Sequence, residues 1–174
     1  YFDVLNNAAK DVPAGSDGVL FLPYLTGGTN DVKEATGCFL NMTLDTDQAT
    51  LWHAVLEAIG YDYMEITDLY RGAGVDMSRI TITEGGSRSE IWNQMKSDML
   101  GSEVITLKNA GGAVVTDCIV GAYALGHITD MKAALTESLE IKKLYYTNAE
   151  NHDFYAKQYA LQKKLVKQDM KEAF

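Results

Sequence analysis

Two successive segments constrain the fold most, because each reads as a short strand, a glycine turn and a helix. Arg79-Ile-Thr-Ile-Thr83 is β-branched, Glu84-Gly85-Gly86-Ser87 is a turn, and Glu90–Leu100 places Ile91, Met95 and Met99 on one helical face. Glu103-Val-Ile-Thr-Leu107 then precedes a second glycine turn over 109–112 and a small-residue helix from Ala113 to Gly126. Strand, helix, strand, helix in that order calls for parallel pairing, since a helical crossover returns the chain to the same end of a sheet. The fold class is therefore α/β.

The rest of the chain supplies further elements. Phe2, Leu5 and Ala9 mark a short opening helix, stopped near Pro13 and Gly15. Gly18–Leu25 is a continuous apolar run of strand length whose ladder should end or bulge at Pro23, and 26–30 is a loop. Gly37–Leu44 reads as a second strand, with Thr46 or Asp47 as N-cap of a helix over Gln48–Arg71. On that helix Leu51, Val55, Ile59, Tyr63, Ile66 and Tyr70 recur at three- and four-residue spacing and predict the buried face, and Gly72 and Gly74 end it. Helices are also predicted over Met131–Leu139 and about Ala149–Lys171. No repeat or linker divides the sequence, so residues 1–174 are read as a single unit.

Bulk properties remove several functions. A formal charge of −9 disfavours nucleic acid or an anionic membrane as partner, and no apolar run approaches the roughly 20 residues of a membrane span. Cys38 and Cys118 have no metal-ligand spacing and are read as reduced thiols of a cytoplasmic protein. His53, His127 and His152 lie at unrelated spacings and are read as packed or surface residues, without a metal. Asp45-Thr-Asp47 lacks the glycine and distal Glu of a calcium loop, Asp62 with Glu65 fits a solvated helix face, and no nucleophile elbow is present.

The turn after Thr83 holds the most chemistry. Gly85 and Gly86 lack a Cβ, so the backbone can turn sharply and approach a ring or a phosphate, while Ser87, Ser89 and the N-terminus of the following helix supply hydrogen-bond partners. The stretch has neither the Gly-x-Gly-x-x-Gly of dinucleotide folds nor the Gly-Lys-Ser/Thr of a P-loop. On residue chemistry alone, a ligand loop and a plain tight strand-to-helix turn both fit.

Gly85-Gly86, Arg88-Ser89, Trp92-Asn93-Gln94 and Ser97-Asp98 resemble the motif of the second domain of the FGGY family of carbohydrate kinases. The likeness runs back through Gly15-Ser16 to Gly27, Gly37-Cys-Phe39 and His53-Ala-Val-Leu-Glu57, and covers roughly residues 1–130. It departs at Gly27-Gly-Thr-Asn-Asp31, at Asn41-Met42, and at Thr116-Asp117, where Asp117 is expected to be a helix N-terminal charge or a functional contact.

The resemblance implies an actin-like, ribonuclease H-related domain, a mixed sheet flanked by helices and incomplete on its N-terminal side, belonging to the second, nucleotide-binding domain of a two-domain sugar kinase. It implies ATP and Mg2+ as cofactors, with Gly85, Gly86, Arg88 and Ser89 against the nucleotide, and Trp92 and Gln94 packing and bracing the loop. The family's aspartate base and sugar-binding domain are expected upstream of Tyr1, so no catalytic residue is assigned and the fragment alone is expected to be inactive. Within the family the pattern is most similar to xylulose kinases, forming xylulose 5-phosphate, with gluconate, glycerol and other pentulose or polyol kinases behind. A free-standing, non-catalytic nucleotide-binding or interaction module is the alternative. Apolar surface left bare by a missing domain is expected to favour self-association, including a homo-dimer.

Overall fold

A computed structural model describes residues 1–27, 36–108 and 112–165. It contains α1 (Phe2–Ala9), β1 (Leu20–Leu22), β2 (Cys38–Leu40), α2 (Gln48–Gly72), β3 (Arg79–Ile82), α3 (Glu90–Leu100), β4 (Glu103–Leu107), α4 (Gly112–Ala124), α5 (Met131–Ser138), β5 (Ile141–Tyr145) and α6 (Ala149–Lys164). β3 and β4 are parallel, as the strand–helix–strand order requires, and β5 joins the other edge of β4 antiparallel, which makes the sheet mixed. β1 and β2 form a separate antiparallel pair, with Phe21 opposite Phe39 and their rings 4.6 Å apart.

β1 stops at Leu22, immediately before Pro23, and β2 stops at Leu40 because Asn41 takes φ 61°. Asp47 caps α2, its carboxylate accepting from Thr50 N at 2.8 Å. Positions 109–111 of the expected turn, the end of the last helix toward Lys171 and positions 28–30 of the expected loop lie outside the described residues, and Gly112 already begins α4.

The main core is built where α2, α3 and α6 meet: Leu56, Tyr61 and Met64 pack on Met95, Met99 and Leu100, with Tyr155 and Tyr159 closing the third side. Gly60 makes the α2–α3 approach possible, since a Cβ there would run into the Met99 side chain. The face of α2 that is buried is not the one predicted. Ala54, Leu56, Ala58 and Gly60 are inside together with the polar His53, Glu57 and Thr67, whereas Tyr63, Ile66 and Tyr70 are exposed. Close packing here combines Leu56, Tyr61 and Met64 with small residues and a polar network, while Leu51 and Val55 of the predicted face are half-buried against Val19 and Phe21.

That network is centred on Glu57, which is 2% exposed. Its carboxylate accepts from Gly15 N at 2.7 Å, Ser16 Oγ at 2.7 Å and Tyr155 Oη at 2.9 Å. Ser16 Oγ also lies 2.9 Å from His53 Nδ1. Because the single hydroxyl proton goes to Glu57, the hydrogen of that second contact comes from Nδ1 of a neutral imidazole. Burial pushes His53 down to about 4, against the pull of Asp17, and pushes the Glu57 carboxyl up, although its three donors pull back. Glu57 thereby holds Gly15, Ser16, Asp17 and Gly18, four consecutive residues at positive φ (91°, 49°, 52° and 87°). Such a left-handed run is costly for Ser16 and Asp17, by about 1–2 kcal/mol each, and persists because its donors are tied down.

α4 departs from its surroundings. Its sequence carries one charge, Asp117, yet Val114, Val120 and Tyr123 are exposed and its neighbour of note is α5. A helix apolar on all sides is ordinarily buried. Asp117 lies in the second turn and is exposed, so it is not the helix N-terminal charge expected from sequence. No helix among the described residues is long and apolar enough to cross a membrane.

Candidate nucleotide site

The glycine turn leaves β3 as a single 3-10 turn over Gly85–Ser87 and enters α3 through Ser89, the N-cap, whose Oγ accepts from Trp92 N at 3.3 Å. Neither glycine has a positive φ. The sharp change of direction falls on Glu84, at φ 58° and ψ −154°, a conformation that side chains other than glycine's rarely adopt. This corrects the sequence reading, in which Gly85 and Gly86 make the bend. Ser87 secures it, donating to the Glu84 carbonyl from N at 3.1 Å and from Oγ at 2.8 Å. Replacing Glu84 with glycine is expected to relieve the strain and raise stability by about 1 kcal/mol, after the larger chain entropy of glycine is deducted. A higher urea midpoint at unchanged slope would show it, and an unchanged midpoint would mean the turn is unstrained.

Beneath the turn lies a polar brace. Asn93, fully buried, donates from Nδ2 to the Ser87 carbonyl at 2.7 Å. Lys96, 1% exposed, donates to the Gly86 carbonyl at 3.1 Å and sits 3.7 Å above the Trp92 ring. Burial lowers the Lys96 ammonium to about 8. Trp92 also stacks on Tyr63 at 6.3 Å. Trp92 thus braces the loop as expected. Gln94 does not: its amide donates to Asp98 Oδ1 and to the Tyr146 carbonyl, both at 2.8 Å, and ties α3 to the segment after β5. Lys96 was missed from sequence, and its signal was the Trp92–Lys96 pair at i, i+4.

The outer side of the turn is bare. A Cβ built on Gly85 would meet nothing within 4 Å, and one on Gly86 would make only ordinary contacts with Trp92 and Lys96. The protein's own packing therefore does not require glycine at position 85. Arg88, exposed, and Ser89, half-buried, line a cleft of about 360 Å3 whose far wall is α1, with Gly85 and Gly86 outside its lining. A larger cavity, about 580 Å3, adjoins this cleft through Lys10, Glu90 and Ile91. Several of its polar side chains are already committed: Gln94, Asn151 and the Asn148 backbone all donate to Asp98, and Lys143 pairs with Glu90 at 2.9 Å. The smaller cleft is the better candidate because it touches Arg88 and Ser89, which follow the glycine turn, and keeps unspent donors.

Residues 2–125 match the model of the FGGY family of carbohydrate kinases, C-terminal domain. A xylulose kinase of Staphylococcus epidermidis is 29% identical over 169 residues, 96% of this chain and 34% of that protein. A gluconokinase of Bacillus subtilis is 34% identical over 138 residues, 76% of this chain and 26% of that protein. Among solved structures, xylulose kinase from Rhodospirillum rubrum superimposes with a TM-score of 0.76 at 26% identity, over 94% of this chain and 34% of that one. Glycerol kinase of Plasmodium falciparum, at 14% identity and a TM-score of 0.78 over 94% of this chain and 33% of that one, shares the fold. The fold is the actin-like α/β fold of sugar kinases, and the chain spans between about a quarter and a third of the length of these relatives.

Proposed function

This chain belongs to the FGGY family of carbohydrate kinases, and from that premise we propose that it forms a nucleotide-binding wall of a two-domain, ATP-dependent sugar kinase. The observation that carries the proposal is the glycine turn, braced from inside by Asn93 and Lys96 and empty on the outside at Gly85. A rigid backbone edge with no side chain of its own is suited to lie against a nucleotide, and Arg88 and Ser89 add donors beside it. Ser89 Oγ accepts the helix N–H and keeps its own proton to donate.

The intact protein transfers the γ-phosphoryl group of ATP to a sugar hydroxyl, D-xylulose in this reading, in the cytoplasm. The named xylulose kinases among its relatives support that choice, and the Bacillus subtilis gluconokinase supports gluconate as the second reading. Among the described residues no group of three or more His, Cys, Asp or Glu side chains could hold a metal ion. Mg2+ would arrive on the nucleotide phosphates. The sugar site and the base belong to the rest of the polypeptide, which would also cover the apolar surfaces of α4 and of the outer side of α2.

Gly85→Val provides the test. With no atom near the new side chain, the fold should keep its stability within about 1 kcal/mol, while ATP affinity of the chain, measured by calorimetry, should fall about tenfold or more. An unchanged ATP affinity in a folded variant would remove the turn from the site. In the intact enzyme, faster turnover with gluconate than with D-xylulose would replace the substrate while leaving the nucleotide site in place.

A further inference from the structure

On α1, Asp3, Asn6, Asn7 and the adjoining Lys10 follow the i, i+3, i+4, i+7 spacing of one helical face. This polar stripe lines the 360 Å3 cleft opposite Arg88, Ser89 and Glu90. An adjoining side of α1 packs on α2, where Phe2 lies 5.8 Å from the Trp52 ring, and Asn6, at the edge of the stripe, accepts through Oδ1 from Trp52 Nε1 at 3.0 Å. Asn6 is thereby fixed in orientation with its N–H2 group still available, and the Asn7 side chain makes no hydrogen bond among the described residues.

The cleft carries Asp3 and Glu90 with Lys10 and Arg88, Glu90 being paired with Lys143, while Asn6 and Asn7 give its α1 wall uncharged amides that suit a neutral group with donors and acceptors along its edge. Its volume falls in the roughly 300–1,000 Å3 range of ligand clefts. An asparagine amide, one donor beside one acceptor, matches adenine, which offers an amino donor beside a ring-nitrogen acceptor. Guanine presents two acceptors on the corresponding edge and leaves the amide oxygen unmatched.

We infer that α1 is the specificity wall of the nucleotide site, and that Asn7, with Asn6 beside it, reads the purine base and selects adenine over guanine. This rests on the nucleotide reading of the glycine turn and extends it to a helix that neither the turn motif nor the family resemblance singled out.

The test is calorimetric titration of the chain with ATP and with GTP, compared as a ratio of dissociation constants. Wild type is expected to favour ATP by about tenfold or more. Asn7→Ala, at an exposed helical position where alanine is well tolerated, should bring the ratio close to one. Asn7→Lys, a donor suited to the two acceptors of guanine, should turn the preference toward GTP, and any gain from its charge on the phosphates cancels in the ratio. An unchanged ratio in Asn7→Ala, or a wild type without preference, overturns the inference. If Gly85→Val weakens ATP while Asn7→Ala leaves the ratio intact, the nucleotide site stands and only the base has been misplaced. A wild-type chain that binds neither nucleotide sinks both readings together.

Discussion

Asp98→Ala is expected to cost about 4 kcal/mol of folding stability, a large share of the 5–15 kcal/mol available to an ordinary domain. Asp98 is 2% exposed and sits near the C-terminal end of α3. Its Oδ1 accepts from Gln94 Nε2 at 2.8 Å and from Asn148 N at 2.9 Å, and its Oδ2 accepts from Asn151 Nδ2 at 2.8 Å. Alanine leaves all three donors without that acceptor, and the Asn148 N–H has no side-chain freedom to turn to water. Ser97 beside it reinforces the joint, donating to the Ser102 carbonyl at 2.7 Å and approaching the Tyr145 carbonyl at 3.1 Å. Asp98→Asn keeps one accepting oxygen and should lose about half as much. Urea denaturation of both variants measures the difference; an alanine variant with the wild-type midpoint would show that the α3–α6 joint contributes nothing.

Glu57→Gln should cost about 3 kcal/mol, and it isolates the network from cavity effects because the side chain keeps its volume. One of the two accepting oxygens becomes an N–H2 group, placed among the donors Gly15 N, Ser16 Oγ and Tyr155 Oη. The positive-φ run over 15–18 then loses what holds it, so hydrogen exchange at the Gly15 amide should quicken more than exchange in β4. A loss below about 1 kcal/mol would mean that the donors find other partners. The companion His53 acts with a defined sign. Its folded pKa is lowered, so its contribution is fully present above the unfolded value of about 6.5 and is lost as pH falls toward about 4. Glu57, raised by burial, opposes this, since its contribution grows as pH falls, and the acid limb is correspondingly shallow.

The strand–turn–helix units were legible because each signal was local. β-branched residues, glycines and a serine cap coincide over Arg79–Leu100, and the α3 and β4 limits follow from them. β5 was not legible: Ile141-Lys-Lys-Leu-Tyr145 is an edge strand, exposed at its first four positions, and it carries no alternation to mark it. The α2 face was misread for a related reason. Periodicity weights Leu51, Val55 and Ile59 by their apolar size, whereas burial is decided by where helices can approach, at Ala54, Ala58 and Gly60, and by where Glu57 finds its donors. At the candidate site, Gly85, Gly86, Arg88 and Ser89 could be picked out from their order in the chain. The strain at Glu84 and the wall supplied by α1 depend on a φ angle and on distant contacts that no local pattern encodes.

The hydrogen bond between Glu57 and Tyr155 joins residues 98 positions apart, with the Gly15–Ser16 turn held at the same carboxylate. A nascent chain emerging from a ribosome meets these partners in a fixed order: turn first, carboxylate next, tyrosine last. Until α6 has left the exit tunnel, Glu57 lacks its third donor and the α2–α3 core lacks Tyr155 and Tyr159. The left-handed turn therefore waits for α6 to be made before it is locked, and any pause between α3 and α6 prolongs the interval in which chaperones and proteases can reach it.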